Sequence, residues 1–263
     1  MDSTSILTDI RDDGIATITM NRAEVHNAFN DQVIAEMTAT LRRLGEDDRV
    51  RAVVLRAAGK SFSAGADLGW MQRMAGYGRE ENLRDAEGLA ELMRTLNFLP
   101  RPTIAVVQGA AFGGGVGLVA CCDIAIAAEG ASFSLSEVKL GLIPAVISPY
   151  VVAAIGERAS RRYFLTAERF AADEALRIGL VHQVVPVDRL DEALDSVLAR
   201  LAEGGPAAQK AAKDLIFAVA HRPVNAAVIR DTAERIATIR ASSEGREGLA
   251  AFLEKRKPAW TAR

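Results

Sequence analysis

The sequence is short of cysteine, of net charge and of long apolar runs. Only two cysteines occur in 263 residues, Cys121 and Cys122, and they are adjacent. Neighbours in a chain rarely bridge, so a disulfide framework is excluded and a reduced, intracellular protein is expected. No basic residue stands beside them in sequence to activate either thiol. Net charge is −2. That supplies no basic field for nucleic acid or an anionic membrane, so neither is an expected partner. Any grip on a phosphate has to be local. No apolar run reaches the ~20 residues of a membrane span. Residues 1–13 are acidic and lack the basic start and apolar core of a signal peptide, and equally the Arg-rich look of a transit peptide. Cytoplasm is the expected compartment. The three histidines, His26, His182 and His221, have no ligand spacing. There is no G-x-S-x-G elbow and no Cys/His metal set, so elbow-type serine hydrolysis and zinc chemistry have nothing to stand on.

What is present is ordinary in bulk: 49% hydrophobic and 25% charged residues, as in a soluble globular protein. Residues 14–20 alternate, with Ala16, Ile18 and Met20 on one face, which predicts a strand. A helix is predicted from Asp31, where Val33, Ile34, Met37 and Leu41 recur at helical spacing. Residues 52–55, 103–107, 124–127 and 132–135 are short apolar runs, read as strands. Leu89, Leu92, Met93, Leu96 and Leu99 mark a second helix, ended before Pro102. Residues 57–68 read as loop, and a helix follows the triple glycine to about Cys122. Strands alternating with helices predict an α/β fold with mainly parallel strands. Beyond Asp191 only helical patterns remain, with stripes Leu194–Val197–Leu198–Leu201 and Val224–Val228–Ile229–Ile236–Ile239. The expected division is a core over 1–190 and a helical region over 191–263, packed on the core or on another subunit. No fixed-period repeat or low-complexity segment appears.

Three stretches could carry chemistry. Phe62-Ser63-Ala64-Gly65-Ala66-Asp67-Leu68 follows a buried strand, and its small residues would let a ligand reach backbone N–H groups. Gly59-Lys60-Ser61 just before it is no phosphate-binding P-loop, because Val54 stands where that motif needs glycine. Gly109 to Gly117 runs from strand into helix, whose start offers unpaired donors and a positive dipole end. Its spacing is not the dinucleotide-binding G-x-G-x-x-G. Third is Glu137, one acid within Ser134-Leu135-Ser136-Glu137-Val138-Lys139-Leu140-Gly141-Leu142-Ile143-Pro144. Taken singly, each is better read as an ordinary turn or a solvated side chain.

In combination they resemble one family. Asn21-Arg22 followed by His26-Asn27-Ala28-Phe29, then SFSAGADL, the GAAFGGG segment ending in Cys122-Asp123, SEVKLGLIP, residues 166–181 and the ending Phe252-Leu253-Glu254-Lys255-Arg256-Lys257 are similar, in order and spacing, to the crotonase (enoyl-CoA hydratase/isomerase) superfamily. The resemblance covers essentially the whole chain. It implies a spiral of ββα turns with a helical C-terminal region that builds homotrimers or homohexamers. It implies an acyl-CoA substrate whose thioester oxygen is gripped by the N–H groups of Ala66 and Gly114, with Ala64, Asp67 and Leu68 along the coenzyme A path. Glu137 would move the proton, and Lys255 would help hold a neighbour's coenzyme A. No metal or redox cofactor is implied, coenzyme A being part of the substrate.

One departure matters. Hydratases of this superfamily use two glutamates, and Gly117 stands at the position of the first. Hydration by Glu137 alone is the leading expectation, Δ3,Δ2-enoyl-CoA isomerisation the second, and a non-catalytic CoA-ester-binding protein the third. Residues 135–150, with 113–117 and 120–123, look most like hydratases of 3-methylglutaconyl-CoA and isohexenylglutaconyl-CoA, which act in leucine and acyclic-terpene breakdown. On that reading Gly117 vacates space for a substrate carboxylate, no counter-ion for it is identified beyond Arg73 and Arg84 as candidates, and Trp70, Met71 and Tyr150 are pocket walls or plain core.

Overall fold

The computed structural model describes residues 4–261. Residues 1–3 and 262–263 lie outside it, and with them the first residues of the N-terminal stretch read for a leader. No helix among the described residues is long and apolar enough to cross a membrane.

Among the described residues, ten strands lie in two sheets. The larger has the order β1 (Ile6–Ile10), β2 (Ile15–Met20), β3 (Ala52–Ala57), β5 (Thr103–Val107), β7 (Ile124–Ala128), β10 (Gln183–Val185). The smaller has β4 (Ser61–Ser63), β6 (Ala110–Phe112), β8 (Ser132–Ser134), β9 (Phe170–Ala171). All pairings are parallel except β1–β2 and β8–β9. Each turn of the chain therefore lays one strand in the large sheet and the next in the small one: β3 then β4, β5 then β6, β7 then β8. Helices α2 (Leu68–Met74) and α3 (Arg79–Asn97) close the first turn, and α4 (Gly114–Cys121) closes the second. This is the expected α/β spiral of ββα turns.

The parallel strands are buried on both faces, so their sequences read as continuous apolar runs. Val53, Leu55, Ala105, Val107, Ala125 and Ala127 face the main core, which also holds α1 (Asp31–Glu46) through Val33, Ile34, Met37 and Leu41. The alternate residues, among them Val54, Ile104, Val106 and Ile126, pack under Leu190, Leu194 and Leu198 of α7 (Leu190–Glu203). The first helix of the expected C-terminal region thus covers the second face of the sheet. α5 (Ser148–Thr166) and α6 (Ala172–Ile178) precede it, and α8 (Pro206–Val219), α9 (Ala226–Ala241) and α10 (Ser243–Leu253) follow. Strand β1 and the three-residue strands β4 and β6, the latter two inside stretches read as turns, are additions to the sequence reading. Cys121 and Cys122 are buried and free. Burial pushes the Cys122 thiol up to about 12, which makes it inert at neutral pH.

Candidate active site

The site begins in the loop before α1. Arg22 N–H donates to Asn27 Oδ1 (2.9 Å), and Asn27 Nδ2 donates to the carbonyls of Ala58 and Ser61, both at 2.8 Å. Asn27 is buried and adopts φ +53, a left-handed conformation that Asn tolerates better than most residues. It pins this loop to the β3–β4 connection. Next, Phe29 N–H donates to Gly65 O and Asp67 N–H donates to Phe29 O, both at 2.7 Å. This is a parallel bridge between Phe29 and Ala66. In that pattern the residues flanking Ala66 make the bonds, so Ala66's own N–H turns away from Phe29. Among the described residues nothing accepts from it.

The second donor comes from the start of α4. Gly113, at φ +50, turns the chain out of β6 and leaves the N–H of Gly114 without an acceptor among the described residues. The first N–H groups of a helix lack internal partners and carry its positive dipole end. A Cβ on Gly114 would stand 2.8 Å from Phe29 Cε2, and one on Gly115 3.0 Å from Ser63. Glycine here is a matter of close packing between the two donor-bearing segments. Both donors line a cavity of about 360 Å³, together with Ala64, Trp70, Met71 and Glu137.

Glu137 opens the turn after β8. Its Oε1 lies 3.1 Å from where a Cβ on Gly113 would sit. Its Oε2 is buried and has no hydrogen-bond partner among the described residues. Burial raises its pKa above the ordinary carboxylate value, outweighing the lowering by its own backbone N–H. A buried acceptor with nothing to accept is unusual in a folded protein. Here it faces the cavity that holds the two free donors.

Several expected site residues do not line this cavity. Asp67 does not line the cavity. Its carboxylate accepts from the N–H groups of Gly69 and Trp70 and pairs with Arg22 at 3.0 Å. Burial acts to raise its pKa, but the Trp70, Arg22 and Gly69 hydrogen bonds prevail and hold it low. It positions the Ala66 loop rather than offering a free group to a ligand. Leu68 starts α2, 77% exposed, outside the cavity lining. Lys255 is exposed beyond α10 and lines no part of this cavity. Arg73 pairs with Asp31 at 2.6 Å, and neither it nor Arg84 reaches the lining; nor does Tyr150.

Gly117 is the sharpest correction. The space it leaves is filled: a Cβ there would meet Ile147 Cγ2 at 2.3 Å and Met93 Cε at 3.2 Å. No room for a substrate carboxylate exists beside it. Ile147, which lines the cavity, takes the volume that a second glutamate would need. Glu placed at 117 should therefore overpack the core and bury an unpaired acid, costing about 3 kcal/mol or more. Urea unfolding of G117E checks this, with G117E/I147G expected to recover part of the loss. A wild-type midpoint for G117E would show that Ile147 does not close the site.

Ile147 and Asp85 are contributions the sequence reading missed. Asp85 lies four residues before Leu89, on the apolar stripe of α3, and a charge on a buried stripe was the available signal. It accepts from the Trp70 indole N–H at 2.9 Å. Asp85 and Glu137 are the ionisable residues among the described lining residues, and both are acids.

Two preset N–H donors facing one carboxylate can polarise a thioester carbonyl and move a proton near its α and β carbons. Known proteins agree. The model of the Enoyl-CoA hydratase/isomerase family matches residues 11–263. The crystal structure of an enoyl-CoA hydratase from Shewanella pealeana is similar at a TM-score of 0.95 and 47% identity, over 98% of this chain and 96% of that one. The short-chain-enoyl-CoA hydratase of Clostridium acetobutylicum is 32% identical over 246 residues, 92% of each chain. The trans-2-decenoyl-[acyl-carrier-protein] isomerase of Streptococcus mutans is 29% identical over 268 residues, 100% of each chain. With the family model matched over residues 11–263 and the fold shared, the chain belongs to the enoyl-CoA hydratase/isomerase family.

Proposed function

We propose that the protein adds water across the double bond of an α,β-unsaturated acyl-CoA, with Glu137 as its one catalytic carboxylate. The observation that carries this is the unpartnered, buried Oε2 of Glu137 in the cavity of the two free donors. The thioester oxygen accepts from Ala66 and Gly114. Glu137, ionised, takes a proton from water as the hydroxide bonds to the β carbon, and the π electrons move to an enolate that the two donors stabilise. The protonated Glu137 then returns a proton to the α carbon. Nothing is oxidised or reduced overall, so the reading calls for no resident cofactor. An acid poised this way also supports turnover over mere CoA-ester binding.

For the acyl group we propose a short, branched chain of the methylglutaconyl type. The apolar lining supports the branch. An isolated carboxylate is costly to bury, and the lining offers acids only. Any distal carboxylate must therefore reach the open side of the cavity and stay in water. Turnover of crotonyl-, 3-methylcrotonyl- and 3-methylglutaconyl-CoA tests this: the two branched esters should outrun crotonyl-CoA, and the reverse order would sink the branched reading. A second reading, Δ3,Δ2-isomerisation, is favoured by the closed space at Gly117, which leaves one carboxylate to shuttle one proton.

We also propose self-association into trimers or hexamers. Val224, Ile229, Ile236, Phe252 and Leu253 on and beside α9 and α10 are exposed in the single chain, and an apolar surface of this kind is usually covered. Lys255, next to it, would then be placed to meet a neighbour's coenzyme A. Analytical ultracentrifugation should find three or six chain masses at micromolar concentration. A monomer there would contradict the assembly and the role of Lys255 together.

A further inference from the structure

We propose that Trp70 is the wall that sets how long an acyl chain the cavity admits, and that Asp85 is the positioning residue that holds it there. This rests on the acyl-CoA reading of the cavity. Trp70 is 4% exposed and lines the cavity. It is tied at both ends. Its main-chain N–H donates to Asp67 Oδ1 at 3.2 Å, which links it to the loop of the first oxyanion donor. Its indole N–H donates to Asp85 Oδ1 at 2.9 Å, which links it to α3. That helix is itself immobilised in the core by Leu92, Met93 and Leu96. Trp70 is therefore anchored by its backbone to the loop of the first donor and by its ring to a rigid support.

The arrangement is specific to the hydrogen bond. A buried indole N–H needs an acceptor, and one left without a partner is costly. Without Asp85 the ring has reason to turn toward water, and turning it opens the cavity along α2 and α3. With the ring in place, and Ile147 filling the space at Gly117, the volume of about 360 Å³ is near the small end for ligand sites, roughly 300–1,000 Å³. The ring then stands as the wall against which an acyl chain growing along α2 and α3 would stop.

The test uses saturated esters, which cannot be hydrated. Butanoyl-, hexanoyl- and octanoyl-CoA are titrated calorimetrically into the full-length wild type and into D85L, D85N and W70F. The wild type should bind butanoyl-CoA at least as tightly as octanoyl-CoA. D85L, which removes the acceptor, and W70F, which removes the donor, should shift the preference toward octanoyl-CoA. The gain should be about fourfold for each added methylene that finds room. D85N keeps an acceptor and should keep the wild-type order. An unshifted profile in both D85L and W70F would overturn the wall, and a D85N profile like that of D85L would overturn the acceptor role of Asp85. Should D85L fail to fold, W70F alone decides the wall. Because these esters never turn over, the result is independent of hydration, which crotonyl-CoA turnover reports separately.

Discussion

Glu137→Gln should lower kcat on an enoyl-CoA by about 10²–10⁴-fold, the usual worth of a positioned general acid–base. Affinity for a saturated acyl-CoA should change little, because the glutamine fills the same space. Steady-state kinetics beside calorimetric binding separate the two effects. The same residue sets the acid limb. Its pKa is raised by burial, and the proposed step starts from the ionised form. As pH falls, kcat/KM should therefore decline at a pH above the ordinary carboxylate range. The stability consequence has a definite sign. A carboxyl whose folded pKa exceeds its unfolded one stabilises the fold below the unfolded value, and that contribution is lost as pH rises through the folded value. At neutral pH the ionised Glu137 is a burden, so Glu137→Gln should melt higher than the wild type there, with the difference vanishing in acid. Thermal melts across pH check it; a lower melting point at neutral pH would mean that Glu137 has a stabilising partner.

Gly114→Ala should cost about 10²–10³-fold in kcat, the loss seen when one oxyanion donor is removed. The N–H survives the substitution, but its position does not. The new Cβ would stand 2.8 Å from Cε2 and 3.1 Å from Cδ2 of Phe29. That ring is fully buried, and the Phe29 backbone forms the bridge that orients Ala66. Relieving the clash moves either the Gly114 segment or the strand that aims the other donor. Kinetics on crotonyl-CoA, with a melt to confirm folding, read the effect. Wild-type kcat in Gly114→Ala would mean that the close packing of Gly114 on Phe29 does not set the donor's position.

The fold was legible where a strand or helix carried its own pattern. Strand β5 was read residue for residue, because a strand buried on both faces shows as an unbroken apolar run. Strands β4 and β6 were invisible for a physical reason: three residues are too few to carry a period, and their pairing is imposed by neighbours in the spiral. The small-sheet strands β4 and β8 each bury a phenylalanine, Phe62 and Phe133, yet their separation follows no fixed sequence repeat. Within the site, the residues expected to hold the chemistry, Ala66, Gly114 and Glu137, do converge on one cavity. What failed was inference from a missing side chain. Gly117 suggested room, whereas Ile147 from a distant segment had taken it, and a volume is set by every neighbour rather than by one residue. Asp67 shows a related point: an acid in such a loop can have its hydrogen bonds taken up by a helix start and an arginine.

The most direct test of the account is the reaction of crotonyl-CoA in ¹⁸O-labelled water with wild type and Glu137→Gln. One labelled oxygen in a 3-hydroxyacyl-CoA product, formed by the wild type and nearly abolished in the variant, is the predicted result. Unlabelled crotonyl-CoA recovered intact, while a 3-enoyl-CoA is converted without oxygen uptake, would contradict hydration and leave the isomerase reading in its place.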